Sequence, residues 1–503
     1  MPRESLWFIR STFDRKQTAS NIVRTLKQRI WIILCYSTYW VWMMSVFQEP
    51  TAIFGGLLGD ASAPYAQWQI YVIWFGPLVV MTLVSGFIAF WFKRTRIVFK
   101  SKGYQSCIIL LMFSGAVLHA LWGIGLFLDN PEGSLAILVI RSILVGVGVS
   151  LFRIEIDRVF GYVGANQTLF ITAIGLFIAM LVVLVLTQLP WMIWLVAALV
   201  LPAFLYLFYW LTTKTITCSG YYSHGIKNKL FIPWKFLSTS FIQGIAFGAM
   251  SGGMLLLCSL DSGWLVGTGS RLLALLLLGA VMLFLKLDYN QLLYKLGFPF
   301  MALGFACLLL LPNALQLGGL LAWAGYLVLD MVLWSLGAYL IKNDGLPATW
   351  IASFPGAVLS AGTILGALAS MFIVINNVEN IAACGGLMAI FLLATALVMT
   401  SSRNIQFGWG TSRPYHTDNR KERSVEICNF LSAEYGLTKR ETDVLLCLIA
   451  EQKRKDIGDV LCVSKDTVKT HTRSIYRKLL VHSSDELQEV ASAAAVQLGI
   501  ADD

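Results

Sequence analysis

The chain is divided into apolar runs long enough to cross a bilayer, and its lysines and arginines gather between alternate pairs of them. A hydrocarbon core about 30 Å thick takes about 20 apolar residues per helix. Twelve runs are read. The first six are Arg29–Phe47, Trp68–Phe92, Gln105–Leu128, Ser134–Phe152, Thr168–Gln188 and Trp191–Leu211. The second six are Phe236–Cys258, Gly263–Lys286, Leu296–Leu311, Ala314–Ile341, Trp350–Val374 and Ile381–Thr400. With 57% hydrophobic and 13% charged residues, neither one soluble globule nor a disordered chain is compatible with the composition. The expected fold class is all-α, a polytopic helical membrane bundle with a soluble appendage.

Charge sets the expected orientation. Arg3, Arg10, Arg15, Lys16, Arg24 and Lys27 lie in a basic arm, residues 1–28. Lys93, Arg94, Arg96, Lys100 and Lys102 follow the second run, Arg153 and Arg158 the fourth, and Lys214, Lys227, Lys229 and Lys235 the sixth. Lys295 and Lys342 continue the series. The intervening connections hold Glu49, Asp60, Asp129, Glu132, Asp261 and Glu379 and no Lys or Arg. Cytoplasmic connections are the basic ones. Twelve spans with both termini in the cytoplasm are therefore expected, in a bacterial cell membrane. The arm has no short apolar region followed by a small-residue cleavage site, so it does not read as a signal peptide.

The spans divide six and six around a central loop, Thr212–Lys235. This arrangement over residues 29–400 resembles the major facilitator superfamily, whose two six-helix halves enclose a cavity. That family's signature after the second span, Gly-x-Leu-Ala-Asp-Arg, corresponds to Gly86-Phe87-Ile88-Ala89-Phe90-Trp91, followed by Lys93 and Arg94. The glycine and the basic residues match. Phe90 replaces the acid of the gating ion pair, which leans against active transport.

Composition changes at Ser401. Residues 401–423 form a polar linker, and a flexible chain of that length reaches about 25–30 Å. Residues 424–503 read as a compact helical unit. Thr438-Lys439-Arg440-Glu441 and Ser483-Ser484-Asp485-Glu486 are capping boxes. Ser464 is an N-cap for a helix over Lys465–Leu479, whose apolar face is Val468, Ile475 and Leu479. A lead-in helix is expected over Arg423–Tyr435 and a short one over Asp456–Leu461.

Leu437-Thr438-x-Arg440-Glu441, Val444-Leu445, Lys455-Asp456-Ile457, Val463-Ser464-x-x-Thr467-Val468-Lys469-x-His471 and Ile475-x-x-Lys478-Leu479 together resemble the LuxR-type (GerE-like) helix-turn-helix. Two departures stand out. The turn Glu451-Gln452-Lys453-Arg454 is one residue short and has no glycine, and Gly458 occupies a usual alanine position. In such a motif the second helix enters the major groove. Lys469, Arg473 and Arg477 recur every fourth residue, on one face opposite the apolar one. Lys and Arg can donate to guanine, and Thr470 can meet a thymine methyl. The resemblance implies that Lys469, Thr470 and Arg473 read bases. Thr467 and Arg477 are expected at phosphates, and Ser464 completes the DNA-contacting set. Acids outnumber bases over 424–503, so DNA binding by a homodimer is expected, with double-stranded DNA and RNA polymerase as partners. The resemblance places the dimer surface on the last helix. No receiver or autoinducer domain is read in this sequence, so the input is expected from the membrane part or a partner.

Ionisable residues within spans mark candidate functions. Arg141, Arg271 and Asp330 lie in the fourth, eighth and tenth runs. The two arginines fall at similar expected depth and suit a small anionic ligand such as a carboxylate; an internal ion-pair network with Asp330 is the alternative. His119 reads as a hydrogen-bonded packing residue. Gly244, Gly248 and Gly252, with Gly362 and Gly366, read as faces for close helix contact. The nine cysteines show no C-x-x-C pair and read as packing residues. No cofactor, metal cluster or catalytic triad is read, and no enzyme is expected. The reading is a membrane-embedded one-component transcriptional regulator, with lipid and DNA as its surroundings. The rivals are a transporter with a regulatory tail and a structural anchor holding DNA near the membrane.

Overall fold

The computed structural model describes residues 15–48, 67–91, 102–124, 131–216, 232–257, 260–284, 289–310, 315–342, 346–376, 381–400, 420–450, 457–458, 461 and 463–497. Among them all regular structure is helical. The first half comprises α1 (Arg15–Met43), α2 (Gln67–Phe90), α3 (Lys102–Gly123), α4 (Pro131–Val163), α5 (Ala165–Thr187) and α6 (Trp191–Thr215). The second comprises α7 (Trp234–Leu257), α8 (Leu260–Phe284), α9 (Tyr289–Leu310), α10 (Leu315–Lys342), α11 (Ala348–Asn376) and α12 (Ile381–Thr400).

In hydrocarbon each backbone N–H and C=O must find its partner within the protein, which helices achieve along their own length. Ten of these helices are long and apolar enough to cross a membrane. Two expected spans are helical yet fall outside that set. α1 begins fourteen residues before the expected apolar run, and its early part is polar, with a break in helical backbone at Arg29 (φ −122°, ψ 21°). α8 is apolar over the shorter stretch Val266–Val281.

Each half packs largely on itself. α1 lies on α5 and α6, α4 on α2 and α3, α7 on α11, and α9 on α10 and α12. The halves meet where α2 packs on α11, α4 on α10 and α11, and α5 on α8 and α10. The two glycine faces read from the sequence join each other. A Cβ at Gly244 would run into Leu359 O, one at Gly248 into Thr363 O, and one at Gly252 would lie 2.8 Å from Ala367 O. In return, a Cβ at Gly362 would lie 2.5 Å from Phe241 O. The backbones of α7 and α11 touch because side chains are absent between them.

The expected end of the fourth span at Phe152 is corrected. α4 runs on to Val163, and α5 begins after the single residue Gly164, whose φ of 93° is accessible to glycine. At about 1.5 Å per residue, a helix of 33 residues extends about 50 Å, well past a hydrocarbon core. Arg153 and Arg158, expected in a loop, therefore lie in the last third of a helix. Arg158 pairs with buried Glu155, whose carboxylate also accepts from the Tyr209 hydroxyl of α6, and the Arg153 guanidinium lies over the Trp334 ring of α10. Lys235, expected in the central loop, is in the first turn of α7 and buried, donating from Nζ to Met399 O of α12 at 2.8 Å. Lys295 lies in a π-helical turn of α9, Leu292–Gly297. Lys342 ends α10 and donates to Val163 O at 3.3 Å, bridging the halves.

The carboxy-terminal unit is built from α13 (Arg420–Glu434), α14 (Lys439–Ile449), α15 (Lys465–Leu479) and α16 (Ser484–Gln497). α14 packs on α13, α15 and α16, around Cys428, Val444, Leu445, Ile475 and Leu487. Ile457 and Leu461 of the expected short helix are buried, as the periodicity requires. The linker expected over 401–423 is corrected at its end, because α13 already begins at Arg420; residues 401–419 and the turn Glu451–Arg454 lie outside the described residues.

Candidate nucleic-acid interface and buried charged sites

The expected recognition helix is α15. Ser464 caps it, accepting from Thr467 N at 3.1 Å, and its hydroxyl lies 2.8 Å from that of Thr467. Val468, Thr472, Ile475 and Leu479 are buried. Lys469, Thr470, Arg473 and Arg477 are exposed along the opposite face, and Thr467 is half-buried at its edge. The Thr470 hydroxyl donates to Asp466 O at 2.9 Å, which orients the side chain and leaves its methyl and lone pairs for a partner. A cationic stripe stands clear of the core, with the spacing read from the sequence.

One residue read only as a cap also positions this helix. Glu441 accepts from Thr438 N at 2.7 Å, completing the capping box of α14. The same carboxylate accepts from Ser474 Oγ at 2.6 Å and Lys478 Nζ at 2.8 Å, both on α15. Burial raises the Glu441 carboxyl pKa, but the bonds from Lys478, Ser474 and Thr438 outweigh it and bring it from 4.5 to about 2. Lys478 also donates to Gly436 O at 3.1 Å. α15 is thus clamped at its second half by charge-assisted bonds, which are stronger than neutral ones. The signal available in the sequence was that Ser474 and Lys478 are spaced four apart and off the exposed stripe.

The end of α15 is unusual. Leu480 is the C-cap in the left-handed region (φ 58°, ψ 36°), and it is 82% exposed. In the second capping box, Glu486 N donates to Ser483 Oγ at 3.1 Å, but the Glu486 carboxylate reaches His482 N at 2.7 Å rather than the N-cap's own amide.

In the membrane part, Arg141 of α4 is completely buried. Its Nε donates to His119 Nδ1 of α3 at 3.0 Å, Nη1 to Ile73 O of α2 at 3.1 Å, and Nη2 to Val46 O beyond α1. His119 is the hydrogen-bonded packing histidine expected. Arg271 is buried on α8, a helix that packs on α10 and α5. Arg141 binds residues of the first half, so its partners and Arg271 belong to different halves. Asp330 of α10 is buried and accepts from Trp334 Nε1 at 3.0 Å. Its electrostatic partner is Arg153 of α4.

Comparison with known proteins agrees with the carboxy-terminal geometry. Residues 436–491 match the family described as bacterial regulatory proteins, luxR family. A curated relative, the uncharacterised response regulatory protein YgeK of Escherichia coli (strain K12), is 37% identical over 68 residues. That match is 13% of this chain and 46% of the relative, so the chain spans about half the length of the curated relative it matches. Solved structures similar to the helical body include a bacterial homologue of the iron transporter ferroportin in an outward-facing state. It is 12% identical, with TM-score 0.49, over 75% of this chain and 99% of that one. The major facilitator proton:xylose symporter XylE, bound to 6-bromo-6-deoxy-D-glucose, is 14% identical, with TM-score 0.48, over 76% and 95%. The chain therefore carries a LuxR-type helix-turn-helix domain behind an all-α body of membrane-length helices.

Proposed function

We propose that this chain is a one-component transcriptional regulator of a bacterial cytoplasmic membrane, with both ends in the cytoplasm. Its membrane body receives a small molecule or partner, and its tethered domain binds double-stranded DNA as a homodimer through α16, in reach of RNA polymerase. The observation that carries this is the exposed stripe Lys469, Thr470, Arg473 and Arg477 on a helix locked by Glu441. Ser464 and Thr467 lie at the helix N-terminus, where backbone amides favour a phosphate. A tethered DNA reader responds to the body if a ligand binds two states of the body with different affinity.

The anionic-ligand reading of Arg141 with Arg271 and Asp330 is the less favoured form of the input. Arg141 would first have to release His119, Ile73 O and Val46 O.

The test is genomic occupancy of the full chain in its host, followed by titration of the recovered duplexes with protein in nanodiscs. Lys469→Ala or Arg473→Ala should each weaken binding by about 1–3 kcal/mol and relax one base position. Arg477→Ala should weaken all sequences alike. Unchanged affinity in both base-reading variants would reject the interface. A transporter with a DNA-binding tail is the second reading, favoured by the buried charges where the halves meet. Uptake of a solute by proteoliposomes carrying a chain with Lys469→Ala and Arg473→Ala would establish it.

A further inference from the structure

The seam between the halves holds charged groups that converge without closing on one another. Asp157 of α4 is 3% exposed and Asp330 of α10 is 6% exposed. Arg153, one turn before Asp157, is the cation that both carboxylates feel. Among the described residues, Asp157 makes no hydrogen bond, and no ion pair joins Arg153 to either acid. Arg153 Nε is buried and has no hydrogen-bond partner. Its guanidinium instead lies 4.8 Å from the centroid of the Trp334 ring.

A network that served only to pack helices would have its charges in contact, because a desolvated ion is stabilised by close pairing and hydrogen bonds. Here two buried carboxyl groups share one guanidinium at a distance. The side chains around them are aromatic. Tyr36 and Tyr39 of α1 lie within electrostatic reach of Asp330. Tyr36, Phe160 and Trp334 form a cross-half trio at 5.5–6.3 Å between centroids. Two glycines face the charges: a Cβ at Gly337 would lie 3.8 Å from Asp157 Oδ1, and one at Gly356 would lie 3.8 Å from Arg153 Nε.

We propose that Asp157 and Asp330 bind the charged group of a small organic ammonium ion whose apolar body lies against Tyr36, Tyr39 and Trp334. Arg153 donates to an acceptor elsewhere on the same ligand. Aromatic faces attract cations as carboxylates do. Such a ligand joins α4 of one half to α10 of the other, so it favours whichever arrangement of the seam brings the acids together. This names the input of the regulator proposed above and rests on that reading for its effect on DNA, though binding itself does not.

The experiment is thermal unfolding of the purified full chain in nanodiscs, with DNA absent, in phenethylamine, phenylacetate or 2-phenylethanol up to 10 mM. Phenethylamine should raise the melting temperature saturably, and the matched anion and alcohol should not. Asp157→Asn and Asp330→Asn should each weaken the apparent affinity at least tenfold. Gly356→Ala, which keeps every charge and meets ordinary van der Waals contact, should weaken it as well and guards against misfolding of the aspartate variants. An equal response to phenylacetate, no response to phenethylamine, or a response that survives all three substitutions would overturn the site. An unsubstituted chain that shows no amine response but occupies DNA rejects the site alone. Chains that bind amine but occupy no DNA reject the regulator.

Discussion

Replacing Leu480 by glycine should stabilise the carboxy-terminal domain. Leu480 ends α15 with φ 58° and ψ 36°, and its amide donates to Tyr476 O. The next amide, Val481 N, donates to the same carbonyl at 2.9 Å. This left-handed cap costs a residue with a β-carbon about 1–2 kcal/mol. The leucine side chain recovers little of that, since it is 82% exposed. Glycine removes the steric cost but adds freedom to the unfolded chain, worth about 0.4–1 kcal/mol. The net gain is about 0–1.6 kcal/mol, centred at about 0.8, which is about 3–6 °C in Tm for a domain of this size. The assay is urea and thermal unfolding of the excised 420–503 unit, whose helices bury a core among themselves, followed by circular dichroism. Leu480→Ala is the control. It trims the same exposed side chain while keeping the β-carbon, so its stability should stay within about 0.5 kcal/mol of the parent. If alanine stabilised as much as glycine, the cause would be lost apolar exposure rather than backbone strain. If glycine destabilised the domain, the left-handed cap would not be strained at all.

Glu441 titrates from about 2 in the folded domain against 4.5 unfolded, so its contribution is fully present above about pH 4.5 and is lost as pH falls towards 2. That difference corresponds to about 3 kcal/mol; acid titration of stability should be markedly flatter in Glu441→Gln, and an unaltered slope would refute the clamp. In the membrane body, Gly248→Ala should lower the melting temperature in detergent because its Cβ meets Thr363 O, whereas Gly253→Ala, with open space around it, should leave it unchanged. Arg141→Leu strands His119 Nδ1, Ile73 O and Val46 O without their donor, at about 1–3 kcal/mol for each buried group left unsatisfied. The melting curve of that variant should shift down even with no ligand present.

Much of the architecture could be read from apolar run length, since a bilayer leaves few alternatives to a helix. α15 was legible because Ser464, Val468 and Ile475 cap and bury it from positions close in sequence. What escaped depends on partners far along the chain. A hydropathy window treats Arg153, Glu155, Asp157 and Arg158 as water-facing, so it halts at Phe152. The helix continues because Tyr209 and Arg158 satisfy Glu155 and because Trp334 covers Arg153. Lys235 reads as a loop cation because nothing near it reveals an acceptor 164 residues away. Glu441 looked fully employed by its own helix, and its second pair of bonds needs α15 in place. Leu480 shows no sign in the sequence of its backbone conformation, because leucine there continues an apolar run.

The bond from Lys235 to Met399 O joins the first turn of α7 to the last turn of α12. The polar linker starts two residues after that carbonyl. Its root is therefore bolted to the helix that opens the second half, and any tilt of α7 carries the point of suspension with it. Under the dimeric reading proposed above, a flexible linker lets each domain range about 25–30 Å from that anchor, so the anchor would set the reach of the pair from the bilayer rather than the spacing of its half-sites.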